Sequence, residues 1–282
     1  MKRVLIIGAS SYVGTPLYQR LSHDHQVLGT YHEHPVEAGW QCLRLDIRDR
    51  DSVRKVVMRF QPDLIYHLAY SMADLHGSIE DGTRNLLAAR SQLSLSCSFV
   101  FVSTDIVFSG NHPPYQEMHE PDPILPYGES KKKAENMVRR AGGVIVRTSL
   151  VYGFDPHDPR TLELLQGLET GDFAYPYFAD EYRCPIFIDD LCEALIEIGI
   201  RKYDLRTIWH VAGPETLSRY MFARKLARAA GFDPEKVPKA MIKESGLVRP
   251  LNVALDCTLA RKTLCTTFRT VGKPVGKAGR LE

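Results

Sequence analysis

Short apolar runs alternate with amphipathic stretches along the first half of the chain. The runs at residues 3–7, 26–30, 42–45, 62–70, 98–102 and 143–147 favour β-structure and predict buried strands. Amphipathic stretches follow the runs, and those ending near residues 22, 60, 89 and 140 predict helices. This alternation is typical of an α/β fold with a doubly wound parallel sheet.

The alternation loosens after about residue 154, which predicts a smaller C-terminal lobe. A polar loop, a helix near residues 161–168 and a segment at 171–177 precede a helix at about 189–200. We expect residues 1–153 to form the sheet domain and 154–265 mainly the lobe, with about 186–212 returning to the sheet domain. The tail, residues 266–282, lacks an apolar period and is predicted to be flexible.

Composition limits the kinds of partner. The 282 residues are 44% hydrophobic and carry a net charge of +2, so the chain lacks the basic field typical of nucleic-acid or anionic-membrane binding. The six cysteines show neither a CxxC pair nor metal-ligand spacing, and no signal peptide or long apolar span appears. We therefore expect a soluble cytoplasmic protein with a small-molecule ligand and no metal site.

A glycine-containing turn, Gly8-Ala-Ser-Ser-Tyr-Val-Gly14, joins the first strand to the first helix. Glycines let the backbone approach a pyrophosphate, which the N–H groups and dipole of the helix stabilise. The turn predicts a dinucleotide site that contains Gly8, Ser10, Ser11, Tyr12, Val13 and Gly14. Ser11 stands where a glycine is usual, and we expect it to donate through its own N–H or hydroxyl.

The residues at the end of the second strand indicate whether the cofactor is NADP(H) or NAD(H). Folds that bind NAD place a carboxylate here on the ribose 2′-hydroxyl, whereas this chain has Tyr31 and His32. Without a carboxylate a 2′-phosphate meets less repulsion, and a protonated His32 can pair with it. The sequence favours NADP(H), and the nearby Glu33 leaves NAD(H) as the alternative.

Two segments carry the candidate chemistry. Thr104 follows a buried strand and should emerge at its carboxyl end, where open α/β sheets bind ligands. Tyr127 and Lys131 are four residues apart, so a helix over 127–140 places phenol and ammonium on one face, where the cation favours the phenolate. Taken singly, the segment around Thr104 is more typical of a turn or a helix cap, and the pair of Tyr127 and Lys131 is more typical of a solvated helix surface.

Together these segments resemble a known family. Residues 101–110, 114–117 and 127–131 resemble the extended short-chain dehydrogenase/reductases, most closely dTDP-4-dehydrorhamnose reductase and its relatives. The resemblance implies an NAD(P)-binding Rossmann domain and reduction of a nucleotide-linked 4-keto sugar. It implies that Tyr127 protonates the alkoxide, that Thr104 hydrogen-bonds the carbonyl oxygen, and that Lys131 binds the nicotinamide ribose and lowers the pKa of Tyr127.

The resemblance also implies further binding residues. Cofactor contacts are expected from Asp46, Ile47, Leu68, Ala69 and Tyr70, and substrate contacts from Ser103, Val107, Phe108 and Leu150. A guanidinium matches phosphate oxygens with two parallel hydrogen bonds, so Arg183 and Arg249 are candidates for the diphosphate. An inter-lobe ion pair is an equally good interpretation of both arginines. Leu150 and Ile79 depart from the family, which usually has an aromatic residue and an Asn there.

Two other functions are open on the same scaffold. One is a non-catalytic, NADP-binding regulatory subunit resembling the methionine adenosyltransferase beta subunit, which would form a stable complex with a partner enzyme. The other is a nucleotide-sugar epimerase or dehydratase, which would keep its cofactor bound during purification. The closest family suggests a homodimer.

Overall fold

The computed structural model describes residues 1–36, 38–201 and 208–272. Its strands are β1 (Arg3–Ile7), β2 (Gln26–Tyr31), β3 (Cys42–Arg44), β4 (Leu64–His67), β5 (Ser98–Thr104), β6 (Val144–Thr148), β7 (Val151–Tyr152), β8 (Tyr177–Phe178), β9 (Tyr182–Arg183), β10 (Ile186–Phe187), β11 (Ile208–His210), β12 (Leu217–Ser218) and β13 (Lys239–Ala240). Its α-helices are α1 (Gly14–Leu21), α2 (Arg50–Phe60), α3 (Gly82–Arg90), α4 (Pro126–Arg140), α5 (Pro159–Thr170), α6 (Ile188–Arg201), α7 (Arg219–Ala229), α8 (Ile242–Ser245) and α9 (Thr258–Thr263). A π-helical segment, His76–Asp81, precedes α3, and 3₁₀ segments occupy Asp105–Val107 and Pro234–Lys236.

A parallel sheet in the order β3-β2-β1-β4-β5-β6-β11 forms the centre of the molecule and confirms the doubly wound fold. The strand order reverses between β1 and β4, so a crevice opens there at the carboxyl ends of the strands. Alternate residues of β1 enter the two main core clusters, with Val4 and Ile6 in one and Leu5 and Ile7 in the other. Burial on both faces explains why this strand reads as a continuous apolar run.

Side-chain caps fix where α2 and α7 begin. The carboxylate of Asp49 accepts from the N–H groups of Asp51 and Ser52 at the start of α2. The hydroxyl of Ser218 accepts from the N–H of Met221 at the start of α7.

The C-terminal lobe shares its core with the sheet. Leu164 of α5 and Phe222 of α7 belong to the same buried cluster as Val4 of β1. Strand β11 pairs with β6, so residues 208–210 extend the sheet. Residues 202–207, inside the segment expected to return to the sheet, lie outside the described residues.

Part of the predicted flexible tail is anchored to the lobe and to α6. The N–H of Thr266 donates to Glu197, and the N–H and Nε of Arg269 donate to Asp190. These carboxylates accept from backbone N–H groups that no helix or strand bonds. The flexibility of the tail stays a prediction. Residues 273–282, the rest of the predicted tail, lie outside the described residues.

A buried ion pair ties α4 to the carboxyl ends of the strands. Arg147 of β6 donates from Nε and Nη2 to both carboxylate oxygens of Glu135, at 2.7 Å for Nη2 to Oε2. The two side chains are 2% and 4% exposed, and Ser103 of β5 donates its hydroxyl to the same carboxylate. Helix α4 is therefore fixed in rotation and in height relative to β5 and β6.

Glu135→Ala should destabilise the protein by about 3–5 kcal/mol, because it leaves the guanidinium of Arg147 buried without its counter-ion. Urea unfolding measures the effect. The matched control is Arg139→Ala on the same helix, whose exposed guanidinium lies 4.0 Å from Glu120 and should contribute below about 0.5 kcal/mol. Equal losses in the two variants would contradict this account of the anchor.

Candidate active site

A cleft of about 400 Å³ opens at the carboxyl ends of β1, β2, β3 and β4. The residues predicted for the cofactor that line it are Gly8, Ser10, Ser11, Tyr31, His32, Asp46, Ile47, Leu68, Ala69 and Tyr70. Four separate chain segments therefore converge on one cleft, at the position where the strand order reverses.

The glycine turn leaves its backbone open to the cleft. Gly8 has a φ of +92°, and a Cβ there would lie 3.0 Å from the backbone nitrogen of Ala69. A Cβ on Gly14 would lie 2.1 Å from the carbonyl oxygen of Gly8, so a side chain at either position would break the turn. An exposed backbone at a helix N-terminus fits the pyrophosphate of a dinucleotide.

Ser11, Tyr12 and Val13 have contacts inside the protein. The N–H of Ser11 donates to the carbonyl of Gly8 at 3.1 Å, and its hydroxyl oxygen accepts from the N–H of Gly14 at 3.0 Å. Only the hydroxyl proton of Ser11 is left for a ligand. Tyr12 turns away to donate to the carbonyl of Pro156, and Val13 packs against the hydrophobic core.

Charged groups crowd the end of the cleft where β2 and β3 stop. His32 lies 3.7 Å from Glu33 and 3.6 Å from Asp46. Hydrogen bonds from Arg48 lower the pKa of Asp46 to about 2, and Arg48 also reaches Asp74 at 3.0 Å. Sequence patterns did not indicate Arg48 or Asp74, because the turn after β4 brings Asp74 next to Arg48 only in the folded protein.

The candidate catalytic segments meet where α4 begins. A Cβ on Gly128 would lie 2.3 Å from the carbonyl oxygen of Ile106, so only glycine lets the first turn of α4 approach the backbone that follows β5. That approach sets Tyr127 beside the segment that Thr104 begins. The expected positions of Thr104 at the strand end and of Tyr127 and Lys131 on one helix are what the structure shows.

Thr104 has local partners. Its hydroxyl donates to Asp105 at 3.2 Å and accepts from the N–H of Ile106 at 3.2 Å, which caps the 3₁₀ segment. Its role towards a carbonyl stays a prediction, since a hydroxyl has acceptor and donor capacity that rotation can redirect.

Burial controls the protonation of Lys131 and Tyr127. The ammonium of Lys131 donates to the carbonyl of Val102 at 2.9 Å and lies 4.5 Å from the ring centre of Phe101 and 5.9 Å from that of Tyr127. Burial lowers the pKa of Lys131 to about 7, and Glu135 only partly opposes this. Burial also raises the pKa of Tyr127. The expected effect of Lys131 on the pKa of Tyr127 stays a prediction.

Arg183 is already paired inside the protein. Its Nε donates to Asp105 at 2.7 Å, its Nη2 binds the other oxygen of that carboxylate, and its Nη1 lies 3.6 Å from Glu181. Burial alone would lower the pKa of Arg183, yet Asp105 more than offsets this and the pKa is raised. The structure therefore shows the inter-lobe ion pair, not a guanidinium free for a diphosphate. Arg249 is half-exposed, 3.7 Å from Glu181.

Three of the other expected substrate residues are also internal. Ser103 is bonded to Glu135, Val107 is fully buried, and Phe108 stacks on Tyr115 with ring centres 4.1 Å apart. They lie within the core because the chain turns inward directly after Thr104. Leu150 lines a second, narrow cleft between α5 and α7.

Within residues 1–36, 38–201 and 208–272, no group of His, Cys, Asp or Glu side chains is arranged so that it could hold a metal ion. No helix in the same ranges has the length and apolar character needed to cross a membrane.

Comparisons with known proteins place this geometry in context. A family model described as the RmlD substrate binding domain matches residues 1–277. The methionine adenosyltransferase 2 subunit beta of Danio rerio is 26% identical over 273 residues, which cover 91% of this chain and 83% of that protein.

Two solved structures share the fold over nearly their whole length. A hypothetical dTDP-4-dehydrorhamnose reductase from Sulfolobus tokodaii is similar with a TM-score of 0.83 and 27% identity, covering 95% of this chain and 97% of its own. The dTDP-4-dehydrorhamnose reductase from Bacillus anthracis, solved in complex with NADP, has a TM-score of 0.77 and 25% identity, covering 96% and 94%.

Lys131→Met should reduce the pH dependence of stability between pH 7 and 9.5. The lysine pKa falls from 10.5 to about 7 in the native state, so the unfolded chain binds more protons in this interval and wild-type stability rises with pH. Methionine at position 131 removes that contribution to the pH dependence. Urea unfolding at several pH values measures the free energy of unfolding, with Lys132→Met as the control. If the free energy of unfolding changed with pH equally in the two variants, the lowered pKa of Lys131 would be contradicted.

Proposed function

The chain belongs to the RmlD substrate-binding-domain family of the extended short-chain dehydrogenase/reductases, and from this membership we propose that it is an NAD(P)H-dependent reductase of a nucleotide-linked 4-keto sugar. One observation carries the proposal. Tyr127 and Lys131 lie on successive turns of α4, beside the end of β5. Tyr70 connects the pair to the glycine-turn cleft, which it lines. The ring centre of Tyr70 is 5.3 Å from that of Tyr127 and 5.3 Å from the ammonium of Lys131.

The cofactor would supply the hydride, and the cleft has the features needed to hold it. Gly8, Ser10 and Ser11 line the cleft where the pyrophosphate would bind, and Asp46 lines it where the adenine end would lie. The Bacillus anthracis reductase was solved with NADP, which supports NADP(H) here, with NAD(H) as the alternative. His32 is the candidate partner of the 2′-phosphate.

Proton delivery would fall to Tyr127. When hydride adds to the keto carbon, the carbonyl oxygen gains the electron pair and becomes an alkoxide that needs a proton. Burial raises the pKa of Tyr127, so its phenol is protonated at neutral pH and ready to donate. The resulting phenolate would lie beside the ammonium of Lys131, and Thr104 would donate its hydroxyl to the developing oxyanion.

A second function is favoured by one finding. The similarity to methionine adenosyltransferase 2 subunit beta spans 91% of this chain, which supports a non-catalytic, NADP-binding regulatory subunit. Such a protein would co-elute with a methionine adenosyltransferase catalytic subunit and reduce no ketone. An epimerase or dehydratase, the third candidate, would carry a cofactor through purification.

The proposal includes a cytoplasmic homodimer. All six cysteines are free thiols, as a reducing compartment would keep them. Light scattering on the purified protein measures the oligomeric state.

Tyr127→Phe should remove most of the NADPH oxidation measured with dTDP-4-dehydrorhamnose, by roughly a hundredfold or more, because the variant lacks the proton donor. The NADPH Kd, measured by calorimetry, should stay within about threefold, since the aromatic ring is kept. Tyr182→Phe is the control, because this phenol is 39% exposed and lies outside the cleft.

The possible outcomes separate the three functions. Loss of turnover in Tyr127→Phe alone supports the reductase. Full activity in that variant would rule out its role as the proton donor. A wild-type protein that binds NADPH, reduces no keto sugar and co-elutes with a methionine adenosyltransferase would support the regulatory subunit.

His32→Ala should weaken NADPH binding by roughly tenfold and leave NADH binding nearly unchanged, because only NADPH carries the phosphate that the imidazolium would pair with. Calorimetric titration of both cofactors against both proteins measures the difference. A wild-type protein that binds NADH more tightly than NADPH would overturn the preference.

A further inference from the structure

The ammonium of Lys131 is buried, and no carboxylate in the described part of the chain forms an ion pair with it. The side chain of this lysine lies in a residue that is 2% exposed. Its Nζ donates to the carbonyl of Val102 at 2.9 Å. A buried cation in such a setting is unfavourable unless other groups stabilise its charge.

The ionisable groups around Lys131 stabilise its charge only in part. Glu135, one turn further along α4, raises the pKa of Lys131, yet its carboxylate is already bound by Arg147 and by the hydroxyl of Ser103. His67 on β4 is fully buried. Burial, with a smaller effect of Lys131, lowers the pKa of this histidine to about 3, so it is neutral at physiological pH.

Three aromatic rings face the ammonium of Lys131. Its Nζ lies 4.5 Å from the ring centre of Phe101 on β5, 5.3 Å from that of Tyr70 and 5.9 Å from that of Tyr127. The face of an aromatic ring is the negative end of a quadrupole. It attracts a cation within about 6 Å of the ring centre, and the attraction is stronger where water is excluded.

Tyr70 is the exposed member of this group of rings. It is 49% exposed and lines the glycine-turn cleft, whereas Phe101 is fully buried. Residues 68–71 belong to neither a helix nor a strand. A substitution at Tyr70 therefore removes one ring from the ammonium and leaves both the core and the phenol of Tyr127 in place.

We propose that Tyr70 is a positioning residue, which forms an aromatic cage with Phe101 and Tyr127 and so holds the ammonium of Lys131 in place and keeps it charged. The cage serves where a carboxylate would otherwise be needed. Unlike a carboxylate, the rings do not neutralise the cation, so its full charge remains for the phenolate that Tyr127 becomes when it gives up its proton. This use of the charge rests on the proposed function, whereas the cage itself does not.

A pH titration of the Lys131 side chain tests the cage, followed by NMR on the whole protein labelled with ¹³C at the lysine Cε atoms. Comparison with Lys131→Met assigns the resonance. Tyr70→Leu keeps an apolar side chain but removes the ring face, so it should lower the midpoint of the titration by about one pH unit. Tyr70→Phe keeps the ring and should titrate as the wild type does.

Tyr182→Leu is the matched control, because this residue is also exposed, at 39%, and lies outside the cleft. It should leave the midpoint of Lys131 where it is in the wild type. The resonances of the other lysines, unchanged in each variant, show that the fold is kept.

A ring that only kept water away from the ammonium would give the opposite result. Tyr70→Leu would then admit water and move the midpoint upward, towards the ordinary lysine value of 10.5. A midpoint that rises or stays unchanged in Tyr70→Leu would overturn the cage, and so would a Tyr70→Phe variant that titrates like Tyr70→Leu.

Failure of the reductase proposal has a different signature, because the titration does not depend on turnover. A midpoint that falls in Tyr70→Leu and not in Tyr70→Phe, in a protein that reduces no keto sugar, would leave the cage standing and remove the reductase.

Discussion

The approach of α4 to the backbone after β5 is the contact on which the candidate site depends. Gly128 permits it, because any side chain there would meet the carbonyl of Ile106 at 2.3 Å. Further along the helix, Glu135 is held by the buried guanidinium of Arg147. The face that carries Tyr127 and Lys131 is thus fixed at both ends, so a phenol and an ammonium on flexible side chains acquire a defined position.

The same packing determines the electrostatics of the pair. Excluding water keeps the phenol of Tyr127 neutral and brings the pKa of Lys131 down to about 7. An anionic ligand in the neighbouring cleft opposes the second effect, because a nearby negative charge stabilises the ammonium. The charge on Lys131 therefore depends on whether the cleft is filled, and the site without ligand is electrostatically different from the site with one.

Sequence patterns predicted the parts of the structure that depend on local order. Apolar runs gave the parallel strands, and the spacing of Tyr127 and Lys131 gave their shared helix face. They failed where the answer depends on partners far apart in the chain. The sequence does not show that Asp105 already forms an ion pair with Arg183. Assigning Phe108 to the substrate failed likewise, since Tyr115 covers it.

The ion pair between Arg183 and Asp105 joins the C-terminal lobe to the residue next to Thr104. Swinging the lobe about a hinge would pull these groups apart, and breaking a buried pair costs about 3–5 kcal/mol. Lobe and sheet are consequently one mechanical unit. Ligands would therefore enter and leave through movements of loops and side chains at the rim of the cleft, while the backbone around Thr104 keeps its shape.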